Sequence, residues 1–403
     1  HIHDAVYFDV QDAITFHVLA RSQQEIAGLR TAFDHYLALL ANLAEDLERP
    51  ISELRLTDPV LHQKALDFAD GGKLPVAAED ALSRLTEICK STPDAPAVRF
   101  ADRLLSYREL SLAAGSIASR LQPFTAGKAD PLVGVCLSRS ERMIQSVFGV
   151  LAAGGGYLPL DPTMPAERLN FIVSDAQLTA VIADAETFDV ISGIVECPVL
   201  KVESMLDAPR LIEPPEDNAQ TARRTAYVIY TSGTTGKPKG VVIERGMLAH
   251  FVAALEGLWD RGHGSRWMQF ASLNFDASVL EIFNPLTHGG ELIIAPSEVR
   301  ADPEAIFNLM QENRVTHAFI PPAMLRLLPR RSLPDLRSIC CGGEASDEES
   351  VRFWSKTLQL ANIYGPTEST VMATFNRMGG AKSANQLRSE ERRVGKECRS
   401  RWS

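Results

Sequence analysis

From Tyr230 to Gly240 the sequence reads YTSGTTGKPKG, which sets three glycines, four Ser/Thr hydroxyls and two lysines in one short stretch. Gly233 and Gly236 can take backbone angles closed to other residues and so turn main-chain amides toward an anion. Thr231, Ser232, Thr234 and Thr235 add hydroxyl donors, and Lys237 and Lys239 add charge. That is the chemistry of a phosphate grip. It is not a Walker loop: the pattern G-x-x-x-x-G-K-[ST] needs glycine where Thr231 stands and Ser or Thr where Pro238 stands. Proline after Lys237 also forbids the hydrogen-bonded helix start into which a Walker loop feeds. The loop is expected between a strand at AYVIY (226–230) and a second at GVVI (240–243).

Four further motifs follow a fixed order around this loop: LLSYREL (104–110), LAAGGGYLPLD (151–161), NFDAS (274–278) and NIYGPTE (362–368). LLSYREL by itself reads as a helix start at Ser106, with Glu109 completing a capping box. LAAGGGYLPLD closes a helix on glycines and lets a strand approach closely. NIYGPTE, taken alone, is a Gly-Pro turn.

Together with TAYVIYTSGTTGKPKG (225–240), these motifs resemble those of the adenylate-forming, or AMP-binding, enzymes: acyl-CoA synthetases, luciferases and the adenylation domains of nonribosomal peptide synthetases. The resemblance covers about 75–387. It implies ATP and Mg²⁺ as partners in the reaction, with Thr231, Ser232, Gly233, Thr234, Thr235, Gly236, Lys239, Gly343, Glu344 and Tyr364 around the nucleotide. By the same resemblance Tyr364 lies against adenine, Thr367 touches the α-phosphate and Glu368 holds Mg²⁺; Thr367 and Glu368 are the catalytic candidates. A carboxylate combined with phosphate oxygens suits that hard cation.

NFDAS bears on the substrate. A carboxylate at a buried pocket mouth is costly unless it meets a cation. In the amino-acid-activating members this aspartate pairs with the α-ammonium, so Asp276 favours an α-amino acid over a plain solvated residue before a helix. The resemblance places Ala277, Leu280, Phe319 and Cys340 with Asp276 in the substrate pocket, and Gly342, Ile363, Val371 and Met372 complete it. Apart from Asp276 none is charged, which points to an apolar amino acid. Related apolar substrates differ by only about 1–3 kcal/mol per methylene, so the identity stays open. Cys340 and Cys341 read as buried packing rather than reactive thiols. Two alternatives stand beside an amino-acid-activating domain: an acyl-CoA or aryl-acid ligase of the same superfamily, and a non-catalytic binding fragment.

The elements that must position these residues alternate. Helices are expected at about 78–90 and 107–121, and strands at 97–100, 132–137, 180–184, 226–230, 291–295 and 317–321. This alternation is that of an α/β domain with buried, mostly parallel sheets, which bind ligands where loops leave the carboxyl ends of strands. With the resemblance, the expectation is the large N-terminal lobe of the adenylate-forming fold. The family's C-terminal lobe, with its reaching lysine, and the Y-R-T-G-D segment are not found in the sequence, so poor turnover by this chain alone is expected.

Ahead of that domain, AITFHVLA (13–20) alternates like a half-buried strand. Ile26, Leu29, Phe33, Leu37, Leu40, Ala44 and Leu47 then recur at helical spacing, up to Pro50. Residues 1–66, ending in RPISELRLTDP, resemble the last part of a condensation domain, without its H-H-x-x-x-D-G motif; His1 and His3 do not replace it. Residues 67–77 read as a linker and 78–387 as the adenylation domain. The string RSEERRVGKECRSRWS (388–403), with six Lys/Arg against three Glu, resembles a translated sequencing adapter and is set aside as non-native. Expected partners are the amino acid, an upstream condensation domain and a downstream carrier domain bearing phosphopantetheine, which is not in this chain.

The bulk properties agree with this reading. The chain has 403 residues, 45% apolar and 23% charged, the balance of a globular protein of more than one domain. A net charge of -10 argues against a nucleic-acid partner. The apolar stretch 147–160 is broken by glycines and too short to span a bilayer. Six cysteines without C-x-x-C spacing indicate neither zinc nor a disulfide framework, and a cytoplasmic setting is expected.

Overall fold

The computed structural model describes residues 6–10, 14–18, 23–45, 48, 50, 53, 59–69, 79–214, 218–232, 237–259 and 262–378. Gly233, Thr234, Thr235 and Gly236, His1 and His3, linker residues 70–77 and the 388–403 string lie outside them. The chain divides into two compact units, residues 1–73 and 74–403.

In the first unit β1 (Val6–Val10) and β2 (Ile14–Val18) pair antiparallel, Val6 opposite Val18 and Val10 opposite Ile14. Helices follow at Gln23–Glu45 and Pro59–Ala69. The second helix occupies the end of the condensation-like segment and the first residues of the expected linker. The apolar stripe of the first is only partly buried, for Leu37 and Leu40 stay 42% and 36% exposed.

Among the described residues the second unit holds fourteen strands. In chain order they are β3 (Pro96–Phe100), β4 (Arg103–Ser106), β5 (Leu132–Cys136), β6 (Gly156–Pro159), β7 (Ala180–Ala183), β8 (Val199–Lys201) and β9 (Thr225–Ser232). There follow β10 (Pro238–Glu244), β11 (Arg266–Gln269), β12 (Glu291–Ile294), β13 (His317–Phe319), β14 (Ser338–Gly342), β15 (Gln359–Tyr364) and β16 (Thr374–Met378). One sheet has the order β10-β9-β6-β5-β7-β8, the other β16-β15-β14-β13-β11-β12-β3-β4. Only the edge pairs β9/β10, β15/β16 and β3/β4 are antiparallel; every interior pairing is parallel. This is the expected α/β architecture of buried, mostly parallel sheets.

One apolar cluster lies between the sheets. It joins Val133, Val135, Tyr157, Tyr227 and Ile229 of the first sheet to Leu292, Ile294, Phe319, Cys340 and Ile363 of the second. Strand alternation sends neighbouring residues the other way: Ala318, Cys341 and Leu360 enter a second cluster with the helices Pro303–Glu312 and Glu348–Trp354. Val181 and Val228 enter a third with Leu169 and Ile172 of the helix Ala166–Ala176. Both faces of both sheets are therefore covered, as parallel sheets require.

The two motifs read as structural behave as read. Ser106 accepts from the Glu109 amide at 3.2 Å while Glu109 accepts from the Ser106 amide at 2.8 Å, a reciprocal cap on the helix Tyr107–Thr125. The helix Glu141–Ala152 ends ahead of Gly154, whose φ is +79°. A Cβ on Gly156 would stand 2.9 Å from Thr225 Cβ, so β6 meets β9 only because that residue has no side chain.

Candidate functional site

The predicted pocket residues collect along the carboxyl ends of four adjacent strands, β15, β14, β13 and β11. Phe319 is in register with Cys340, and two residues further along, Gly342 is in register with Ile363. Cys340 and Gly342 share a strand face, and Cys340 opens on the cluster between the sheets. Leu280 and Val371 are buried in that same cluster, with Ala277 and Met372 packed against it. Burial drives the Cys340 thiol well above its ordinary pKa, so this sulfur is a packing group. Gly342 has no alternative, because a Cβ there would lie 2.5 Å from the Ile363 carbonyl oxygen.

Asp276 sits at the start of the helix Ala277–Leu286, half-buried, and its side chain makes no capping bond to that helix. Burial pushes its carboxyl above the ordinary value, a side-chain hydrogen bond from Thr367 and the main-chain amides of Ala277 and Asp276 pull it partly back, and the negative charge of Glu368 pushes it up again. A half-buried carboxyl with hydroxyl and amide donors but a second carboxylate beside it is a site that a cation would relieve.

Thr367 and Glu368 lie in the short 3₁₀ turn Thr367–Ser369 after β15. Gly365 lets the chain fold back here: a Cβ on it would meet Met372 Cα at 2.5 Å and Ala373 N at 2.7 Å. Tyr364 O accepts from Ala373 N at 2.8 Å and closes the loop, while the Tyr364 ring remains exposed. Within the loop Thr370 and Val371 take φ of 59° and 73°. For β-branched residues such angles cost on the order of 1–3 kcal/mol each, and they concentrate at functional sites. Neither this strain nor the need for Gly365 gave a sequence signal beyond the Gly-Pro pair.

The glycine-rich loop is carried by a hairpin, as expected. β9 and β10 pair from Ser232 opposite Pro238 through Thr231 opposite Lys239, so the loop spans the tip. Thr231 is half-buried, Ser232 and Lys239 are exposed, and Cα atoms of the Thr367–Ser369 turn come within 8 Å of β10. The hairpin of one sheet and the turn of the other therefore adjoin. Gly343, φ +88°, and Glu344 are exposed just past β14. The Glu344 carboxylate accepts from the Ala323 amide at 2.8 Å, at the start of the helix Pro322–Leu327.

A cavity of about 770 Å³ opens farther along the same rim, with Arg139, Asp161, Asn274 and Arg300 in its wall. None of the predicted residues lines it. Among the described residues no group of three or more His, Cys, Asp or Glu could hold a metal by itself, and no helix is long and apolar enough to cross a membrane.

A buried polar group also lies next to the pocket. Glu281, 0% exposed, is one residue past Leu280, and its signal in the sequence was a lone acid in the apolar run ASVLEIFNPL. Burial raises its carboxyl to about 8, against the pull of the Ala271 and Phe270 amides and of Arg139.

Comparison with known proteins shows the family to which this chain belongs. Residues 85–397 match the family model described as AMP-binding enzyme, a match that runs past Leu387 into the string set aside above. Bacitracin synthase 3 of Bacillus licheniformis is 33% identical over 347 residues, 84% of this chain and 5% of that protein. Chondramide synthase cmdD of Chondromyces crocatus is 36% identical over 348 residues, 85% of this chain and 9% of that one. The chain thus spans less than a tenth of the length of these synthetases. Among solved structures, the nonribosomal peptide synthetase FmoA3 in its α-methyl-L-serine-AMP bound form superposes with a TM-score of 0.77 at 25% identity, over 93% of this chain and 43% of that one. An AMPPNP-bound form of the same protein gives 0.76.

Proposed function

Because the chain belongs to the AMP-binding enzyme family, that of the adenylate-forming ligases, we propose that its site activates an apolar α-amino acid. The substrate carboxylate oxygen attacks the α-phosphorus of ATP, the new O–P bond forms, and the bond to pyrophosphate breaks, leaving aminoacyl-AMP. The observation that carries this reading is Asp276: a carboxyl held above its ordinary pKa by burial, beside an apolar pocket and against Thr367. An α-ammonium there would neutralise the buried charge, and the apolar cluster would take the side chain.

In this reading the loop between β9 and β10 holds the phosphates with its amides, hydroxyls and Lys239, and the exposed Tyr364 ring lies against adenine. Thr367 is a donor to the α-phosphate. Glu368, exposed on its turn, is the carboxylate that would hold Mg²⁺; when bound, that ion neutralises charge spreading over the phosphates. Gly343 orients the chain beside the nucleotide. Glu344, one of whose carboxylate oxygens accepts from the Ala323 amide, lies beside the nucleotide with it. Residues 1–66 belong in this proposal to the end of a condensation domain and 78–387 to the adenylation domain. The product passes to the thiol of phosphopantetheine on a carrier domain, in a soluble cytoplasmic synthetase. The 388–403 string takes no part.

Exchange of labelled pyrophosphate into ATP, by this chain alone and by the chain joined to the C-terminal lobe of a relative, tests the proposal. Exchange dependent on leucine, valine, isoleucine or phenylalanine is expected. Exchange driven only by fatty or aryl acids would assign an acyl or aryl ligase instead.

A further inference from the structure

The helix Ala277–Leu286 is buried from Ser278 onward, yet it carries Glu281 at its centre. The Glu281 carboxylate accepts from the main-chain amides of Phe270 (3.1 Å) and Ala271 (3.0 Å) and from the Gln269 side-chain amide (3.0 Å). The Gln269 amide also donates to the Ala271 carbonyl at 2.6 Å, and its oxygen accepts from Arg139. Arg139, which follows β5 in the other sheet, donates further to the carbonyls of Gln269 (2.7 Å), Ala271 (3.0 Å) and Ala295 (2.8 Å). The last residues of β11 are thus gripped from the helix on one side and from the opposite sheet on the other.

Those residues begin the connection that ends at Asp276. Inside it, Phe275 N donates to Ser272 O at 2.9 Å and Ser278 Oγ to Phe275 O at 2.7 Å, so both ends of a short turn are tied down. A buried acid adds little net stability over a well-packed apolar side chain, so its energetic contribution does not account for its place here. What it adds is geometry. A hydrophobic residue at this position could not hold the Phe270 and Ala271 amides, and the connection would lose its fixed point ahead of Asp276.

We propose that Glu281 is a positioning residue for amino-acid recognition: by fixing Phe270 and Ala271 it holds the turn that presents Asp276 to the substrate's α-ammonium. This role rests on the amino-acid reading of the site and acts first on that ligand half, which meets the nucleotide half through the Thr367 hydrogen bond to Asp276. The nucleotide half, built from the β9/β10 hairpin and the turn after β15, does not share these hydrogen bonds.

Calorimetric titration of the full chain with AMP, with leucyl-, valyl- and phenylalanyl-sulfamoyl adenosine, and with the des-amino analogue of each separates the two halves. Glu281→Leu is expected to weaken the aminoacyl probe tenfold or more while AMP affinity stays within twofold. Glu281→Gln, which keeps the size and one acceptor oxygen, should recover most of the loss. In an Asp276→Ala background Glu281→Leu should add nothing further. Should the leucine variant not fold, Gln269→Met, which removes one donor to Glu281, is read by the same split. Equal losses for AMP and the aminoacyl probes, or full additivity with Asp276→Ala, would overturn the positioning role. A wild-type chain that binds AMP but gains nothing from the amino group would instead overturn the amino-acid reading, and this role with it.

Discussion

Gly365 and Met372 approach so closely that a Cβ on the glycine would lie 2.5 Å from the Met372 Cα. The other obstacles, Ala373 N at 2.7 Å and Val371 O at 2.8 Å, are also backbone, so no rotamer change relieves the clash. Gly365→Ala should therefore push the 370–373 strand entry away from the Thr367–Ser369 turn. Overpacking of this kind costs about 1–3 kcal/mol. Thermal denaturation should show the loss, and AMP binding should weaken with it, because Tyr364 and Thr367 flank the glycine. An unchanged melting temperature would mean that the loop is not folded as described.

Asp276 should cost the ligand-free protein stability. Its carboxyl is half-buried, raised by burial, and close to the charge of Glu368. Asp276→Asn keeps the shape and removes the charge, so at neutral pH the free chain should gain about 0.5–1 kcal/mol, a size common for relief of functional strain. The same variant should lose affinity for aminoacyl probes. A fall in the melting temperature, measured by differential scanning calorimetry without ligand, would contradict this.

Glu281 gives stability a pH dependence of definite sign. Its carboxyl rises from 4.5 to about 8 on folding, because burial outweighs the pull of the Ala271 and Phe270 amides, Arg139 and Gln269. Arg300 also senses its charge. The folded state therefore binds the extra proton, and this contribution is full below pH 4.5 and lost as pH rises through about 8. Urea denaturation between pH 6 and 9 should show stability falling with pH, and Glu281→Gln should flatten that slope. An unaltered slope in the variant would place the titration elsewhere.

Much of this site was legible in the sequence because short motifs carry it whole. The Walker spacing fails at Thr231 and Pro238, and the hairpin around them, Ser232 opposite Pro238, is the one the flanking apolar runs implied. Ser106 and Glu109 form their reciprocal cap as spacing predicts. The strands β11, β14, β15 and β16 were not among the predicted ones, although three of them frame the pocket. RWMQ carries Arg and Gln and SICCG ends in glycine, so neither shows a strand's periodicity; parallel neighbours on both sides make them strands. The Arg139–Gln269–Glu281 network joins residues 130 and 12 positions apart, a separation no local pattern reports. The strain at Thr370 and Val371 is equally silent, since it comes from the chain folding back on Gly365. In the first unit the expected helix forms, and Leu37 and Leu40 stay exposed on it.

The proposed activity depends on Asp276 receiving the substrate's α-ammonium. The most direct test is calorimetric comparison of leucyl-sulfamoyl adenosine with its des-amino analogue, which differs only in that group, on the wild-type chain and on Asp276→Ala. A charge-assisted hydrogen bond is worth about 1.5–3 kcal/mol, so the amino compound should bind more tightly by roughly ten- to a hundredfold. That advantage should disappear in the variant. Equal affinities on the wild-type chain, or an advantage that survives the loss of Asp276, would rule out Asp276 as the partner of the α-ammonium.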